Sequence, residues 1–271
     1  EGEPFAITNA RRIKGVFEAE MRDAYVQWQG VAGLDLTVGN QVVAWGVLDL
    51  ASAQDVLNPV DYRAGLGAGD EPARIPIFAA RAERRLGPLH VDAVVAPFFV
   101  PHRIDMLGSD YSPLGDANAS QALGGELTGI LISGIDESVE DAWSRDLQAT
   151  EVPMDLPGSA DVGVRVGAQV GGVDLHAAYL YVWDRIPELR ARGPEALAGG
   201  GLPFDSTYSR RHVLGGDLTF AAGDFVFRLE SGWSPDRTIY ELDAEGAPTP
   251  ARRATTLSGA GVDWTHDTDL V

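Results

Sequence analysis

Tight turns and long connections take strict turns along this chain, and few folds require that order. Alternating apolar and polar stretches meet at a tight turn around Gly30 to Gly33, then across a long connection from Gly46 to Ala73, then tightly at Gly87-Pro88. The order repeats with a long segment from Val100 to Ala160, a tight Gly171-Gly172, a long Asp184 to Ser209, a tight Gly223-Asp224 and a long Ser234 to Ala251. In an antiparallel meander every second connection lies at the same end of the sheet, so the long ones fall together. A water-soluble sandwich has little reason to keep that asymmetry. A transmembrane β-barrel has one, because its periplasmic turns are short and its extracellular loops long.

The segments between the turns carry the period of a strand, not of a helix. From Val162 to Val170 the valines and Ala168 point one way, while Gly163, Arg165, Gly167 and Gln169 point the other. After Gly171-Gly172 the pattern resumes, with Leu175, Ala177, Tyr179, Tyr181 and Trp183 against Asp174, His176 and Ala178. Leu214 to Phe220 sets Leu214, Gly216, Leu218 and Phe220 against Asp217 and Thr219. Phe225 to Trp233 sets Phe225, Phe227, Leu229 and Trp233 against Arg228 and Glu230. Leu89 to Val95 opposes His90 and Asp92, and Leu34 to Val42 opposes Asp35, Thr37 and Gln41. Phe17 to Gln29, Ile75 to Arg85 and Thr255 to Thr265 alternate less cleanly but are required by the turn spacing. Each segment approaches the roughly 9 to 11 residues that cross a bilayer when tilted.

These patterns predict an all-β chain, an antiparallel up-and-down meander of about nine strands forming part of a transmembrane β-barrel, with residues 1–271 as one domain. Residues 100–160 read as a long extracellular loop, in which Ser138 to Leu147 has the Ser start, early acidic residues and late Arg145 of a short helix. If the apolar face meets lipid, the polar face lines a lumen. His90, Asp92, Arg165, Gln169, Asp174, His176, Asp217, Arg228 and Glu230 are its candidate lining. Aromatics near the strand ends, among them Trp45, Phe98, Phe99, Trp183, Trp233 and Tyr240 beside the long loops, read as an interfacial girdle. The rival reading is a soluble all-β module that binds carbohydrate or protein through one polar face, since alternation alone allows both.

Composition narrows the function. A net charge of -19 argues against nucleic acid, whose phosphates need clustered Lys and Arg. The absence of cysteine removes thiol catalysis and thiolate-bound metals. The five histidines His90, His102, His176, His212 and His266 show no metal-binding spacing, and no nucleophile elbow or phosphate loop is present. No enzyme and no cofactor are expected. No apolar run approaches the roughly 20 residues of a spanning helix.

One local sequence stands apart: Gly39-Asn40-Gln41-Val42-Val43-Ala44-Trp45-Gly46, followed by Asp49 and then Asp55-Val56-Leu57-Asn58-Pro59-Val60-Asp61. Read physically, a strand ends in an interfacial Trp45, Gly46 breaks it, and Asn58-Pro59 sets a turn whose amides Asp55 and Asp61 are placed to bond. Asp49, Asp55, Asn58 and Asp61 also supply four oxygen-bearing side chains of the kind that hold calcium, though not at EF-hand spacing. The segment resembles a family of largely uncharacterised Gram-negative outer-membrane proteins in which a GxQxVxWG strand precedes a DVLNPxD loop. The resemblance runs on through Pro97-Phe98-Phe99-Val100-Pro101 and through the hairpin Val162 to Trp183 with its trailing Asp184-Arg185-Ile186-Pro187. It implies a porin-like barrel in the bacterial outer membrane, in contact with outer-membrane lipid and lipopolysaccharide, that passes a small molecule, hydrophobic in some members. It implies no catalytic residue. Beside that family's larger barrels this chain reads as an internal piece, without a signal peptide and with open first and last strands.

Overall fold

A computed structural model describes residues 23–31, 33–48, 52–62, 73–103, 153, 156–191, 204–242, 244 and 248–264. The described residues form eleven strands: β1 Ala24–Val31, β2 Leu34–Gln41, β3 Ile77–Leu86, β4 Leu89–Ala96, β5 Asp161–Val170, β6 Val173–Trp183, β7 Glu188–Ala191, β8 Phe204–Thr207, β9 Arg210–Ala222, β10 Phe225–Leu242 and β11 Pro248–Trp264. Nine of them make one antiparallel sheet in the order β1-β2-β3-β4-β5-β6-β9-β10-β11, so each strand lies beside its sequence neighbour in the meander. Among the described residues β1 and β11 are its two edges, and no hydrogen bonds close the sheet between them. No helix occurs among the described residues.

The tight turns share one end. Leu86 pairs with Leu89, Val170 with Val173 and Ala222 with Phe225, while Leu89 faces Ala168 and Val173 faces Phe220 across the intervening ladders. Gly171 and Gly172 both have positive φ, at 59° and 82°, as a two-residue turn of this hand requires. The long connections all leave from the opposite end. Two departures from the expected pattern lie there. The segment 184–209 contains the small hairpin β7–β8. The stretch 234–251 is mostly strand: β10 runs on to Leu242 and β11 begins at Pro248, with a bulge between Ser234 and Arg237. Pro235 sits at that bulge, where its missing N–H costs the ladder nothing. The expected helix at 138–147 and most of the 100–160 loop lie outside the described residues.

The two faces of the sheet differ in kind. One face carries Val26, Trp28, Phe78, Val95, Val164, Val166, Leu175, Tyr179, Leu214, Leu229, Trp233 and Trp264, all exposed. The other is covered by residues 43–48 and 52–60 of the β2–β3 connection. Its apolar core joins Val43, Trp45 and Leu57 of that connection to Ile77, Ala79, Val94, Ala96, Leu180, Val182 and Val213 near the long-loop ends of the strands. Toward the middle of the strands the covered face turns polar.

Candidate functional site

The covered face is a wall of carboxylates, and the β2–β3 connection is the layer seated on it. Gln41 ends β2 with its amide bonded to the Ala79 carbonyl at 2.9 Å, and the chain then turns across the sheet instead of away from it. Asn58 clamps the layer to its own strand: its Oδ1 accepts from Val43 N at 2.7 Å, and its Nδ2 donates to the Ile75 carbonyl at 2.9 Å. Between these points three wall carboxylates receive the layer's donors.

Asp92 on β4 accepts from the Trp45 indole Nε1 at 2.9 Å and from Arg81 Nε and Nη2 at 3.0 and 2.8 Å. Asp217 on β9, its side chain fully buried, accepts from Gln54 Nε2 at 3.0 Å and from Arg165 Nη2 at 3.0 Å, and meets His176 Nδ1 at 2.8 Å. Glu230 on β10 accepts from Val47 N at 2.8 Å, Leu48 N at 3.2 Å, Ser52 Oγ at 2.6 Å and Gln54 N at 3.0 Å. One short segment thus bonds to β4, β9 and β10, strands far apart in the sheet order. Buried carboxylates are tolerable only with such partners.

Glycines on the wall make the seat. A Cβ at Gly163 would lie 2.8 Å from the Trp45 ring, one at Gly215 2.4 Å from the Gln54 side chain, one at Gly232 2.7 Å from Ala53 and one at Gly259 2.5 Å from Leu48. Each of β5, β9, β10 and β11 contributes one such position. Gly46, at φ 107°, places the layer's backbone where a side chain would strike Ser52 and Glu230.

A second clamp holds the layer at the long-loop end. The buried Arg185 donates from Nη1 to the Val100 carbonyl at 2.6 Å and from Nη2 to Asp161 Oδ2 at 2.6 Å and to the Leu57 carbonyl. His102 is beside it, with Nδ1 accepting from Val60 N at 2.8 Å. Burial, with the Arg185 and Arg211 charges, pulls the His102 imidazole down to about 3, so it is neutral. Burial pushes the Asp55 carboxyl above the usual carboxylate range against the pull of Arg74, 2.6 Å away.

The nine candidate lining residues share the covered face but fall into groups. Asp92, Arg165, His176, Asp217 and Glu230 belong to the carboxylate clusters of the wall. His90, Gln169 and Asp174 lie toward the tight turns, where with His176 and Arg85 they line a cavity of about 290 Å³. Arg228 pairs with Asp263 of the edge strand β11. Of the motif residues, Asp49 lies outside the described residues. Asp55 pairs with Arg74, Asp61 with Arg103 at 3.5 Å, and Asn58 with backbone, so all three hold loop structure; Pro59 is buried beside them.

Trp45 corrects the interfacial reading. It is 2% exposed and turned onto the wall, because its indole N–H finds Asp92 there and its ring fills the space left by Gly163. Phe99 likewise is buried, against Tyr208 and Trp183. Residues not foreseen are Ser52, Gln54, Arg81 and Arg185. Arg81 lay in the expected Ile75 to Arg85 strand and Arg185 in the Asp184-Arg185-Ile186-Pro187 stretch, but the role of Arg185 depends on a contact 128 residues away in sequence.

An all-β antiparallel meander with one face apolar and exposed and the other polar and covered defines the structural class. The chain belongs to the family described as protein of unknown function DUF1302, which it matches over residues 6–263. A local similarity also exists to the DNA polymerase II large subunit of Cenarchaeum symbiosum (strain A), 44% identical over 48 residues. That is 18% of this chain, which spans 4% of the length of that curated relative.

Proposed function

We propose that this chain forms part of the wall of an outer-membrane β-barrel, with its exposed face against lipid and the layer of residues 43–48 and 52–60 narrowing an interior through which small molecules pass. The observation that carries the reading is the inversion of the faces. Large apolar side chains such as Val164, Leu175, Tyr179, Leu229 and Trp233 stand exposed across the sheet, whereas Asp92, Asp217 and Glu230 are buried behind it. In water a contiguous apolar face of this extent calls for a partner. In a bilayer it is already solvated, and a barrel keeps its polar residues inside. The loop asymmetry supports the same orientation, with the tight turns periplasmic. Family membership adds no activity.

The test is depth-dependent quenching. The full chain, reconstituted in vesicles of brominated phosphatidylcholine in single-Trp form, is expected to show strong quenching at Trp233 and Trp264 and little at Trp45. Retention in the aqueous phase with Trp233 unquenched would support the soluble binding module instead.

A further inference from the structure

The exposed face ends in a graded column where β6 meets β9. Leu175 pairs with Leu218, Tyr179 with Leu214, Tyr181 with His212 and Trp183 with Arg210. From the tight-turn end to the long-loop end the side chains therefore run from aliphatic, through phenol and imidazole, to indole and guanidinium. Tyr179 Oη lies 2.8 Å from His212 Nδ1, and the His212 ring stacks on Tyr181 at 4.7 Å. The Arg210 guanidinium lies over the Tyr181 and Trp183 rings at 4.5 and 4.6 Å. Aromatic rings with one wet edge occupy the depth of lipid headgroups in membrane proteins.

At the head of this column is a cavity of about 400 Å³ beneath the β7–β8 hairpin, lined by Trp183, Glu188, Arg190, Arg210, Thr238 and Arg252 among others. Three guanidinium groups line it beside one lining carboxylate, Glu188, 3.8 Å from Arg190, and Arg252 also has the Asp236 carboxylate at 4.0 Å, so the arginines outnumber the carboxylates in reach on a chain whose net charge is -19. Glu188 bonds Thr238, so part of its charge is already spent. Arg252 is anchored through Nη1 to the Arg210 and Asp236 carbonyls at 2.9 and 3.1 Å, yet half exposed. Arg210 is fixed by Nη2 to the Ala160 carbonyl at 2.7 Å, while its Nη1 is buried with no hydrogen-bond partner. A buried, unpaired guanidinium N–H is costly and points to an acceptor from outside the chain. Arginine forks match phosphate oxygens in geometry and charge.

Building on the lipid-facing reading, we propose that this cavity is a phosphate site for the headgroup of a membrane amphiphile, with Arg190, Arg210 and Arg252 as ligands and the acyl chains lying along the Tyr179–Leu214 column. Free phosphate presents the same oxygens, but the apolar column directly below the arginines favours a phosphate that carries chains.

Calorimetric titration of the full chain in dodecyl maltoside tests this with three probes: dihexanoyl phosphatidate, dihexanoyl phosphatidylcholine and inorganic phosphate. Phosphatidate is expected to bind at least tenfold more tightly than either of the others. The double variant Arg190→Gln/Arg252→Gln, both at exposed side chains, is expected to weaken phosphatidate at least tenfold with an unchanged unfolding midpoint. No phosphatidate binding, equal binding of phosphatidylcholine, equal binding of inorganic phosphate, or indifference to the double variant overturns the headgroup site. Flotation with phosphatidylcholine vesicles separates the two readings. A chain that floats without phosphatidate preference loses only this site, and one that binds phosphatidate without floating loses only the lipid-facing wall.

Discussion

The same strands present two surfaces that obey different rules. On the exposed face Val164, Val166, Leu175, Leu214 and Leu229 alternate cleanly and stand clear of the layer. On the covered face Gly163, Arg165, Asp217, Glu230 and Gly232 occupy the intervening positions, and each is matched to one particular group of the β2–β3 layer or to another wall side chain. Chemistry is generic on the first and specific on the second. A substitution should therefore be judged by which face it enters before its size or charge is considered, and paired substitutions on the two faces attack that contrast directly.

The largest effect belongs to Asp217→Ala. It leaves Arg165 and Gln54 without their acceptor in a buried site, and removing one partner of a buried ion pair costs about 3 to 5 kcal/mol. Its neighbour in β10 on the other face, Leu229→Ala, removes an exposed side chain and is expected to cost under about 1 kcal/mol in detergent. Urea unfolding midpoints in micelles compare the two. Similar losses would erase the distinction between the faces.

Next comes charge placed on each face. Val166→Arg puts a guanidinium where lipid is proposed, at about 2 to 4 kcal/mol near the midplane, and is expected to abolish membrane assembly. Gln169→Arg, three residues on and at the mouth of the turn-end cavity, is expected to assemble as well as the parent chain. Heat-modifiable gel mobility reads both, and equal tolerance would favour a soluble sheet.

Acid should act on the covered side through His102. His102 accepts a backbone N–H through Nδ1, so protonation breaks that bond. Its value falls from 6.5 to about 3 on folding, which means that the unfolded chain binds the proton first as pH drops. The stabilisation is complete above the ordinary value of 6.5 and is lost as pH falls from there toward 3. At pH 5, about 1.5 units below the unfolded value, the loss is about 2 kcal/mol. Comparing unfolding midpoints at pH 7.5 and 5 with those of His102→Gln isolates this group, since the variant should lack that part of the pH dependence.

How much of this was legible in the sequence divides along the same line. The exposed face and the four tight turns were readable, because period-two alternation and Gly-Gly or Gly-Pro pairs are local signals. β10 beyond Trp233 was not, because Ser234-Pro235-Asp236 reads as a loop and the bulge there shifts the alternation of the residues after it. The covered side was half legible. Asp92, Asp217 and Glu230 were visible as polar positions of one face, but their partners Trp45, Gln54 and the amides of Val47 and Leu48 come from a connection whose sequence does not reveal that it folds inward. Asn58-Pro59 announced a turn, and the turn is there; its direction depended on contacts with strands far later in the chain.

The smallest expected effect is also the most discriminating, because it uses two adjacent glycines. Gly215 points onto the wall and Gly216 away from it. A methyl at Gly215 would meet the Gln54 side chain at 2.4 Å, and Gln54 is pinned by its bonds to Asp217 and Glu230, so it has little room to yield. A methyl at Gly216 would meet nothing closer than the His176 carbonyl at 3.5 Å, an ordinary contact. Gly215→Ala is therefore expected to cost about 1 kcal/mol, the lower end of overpacking, because a methyl is the smallest intrusion. Gly216→Ala is expected to be neutral or slightly stabilising, since alanine loses less backbone freedom than glycine on folding. Gln54→Ala in the Gly215→Ala background should recover part of the overpacking loss relative to Gln54→Ala alone, and a double-mutant cycle on unfolding midpoints measures that coupling. A coupling of zero would mean that the β2–β3 layer does not rest on Gly215, and the seat described for it would have to be placed elsewhere on the wall.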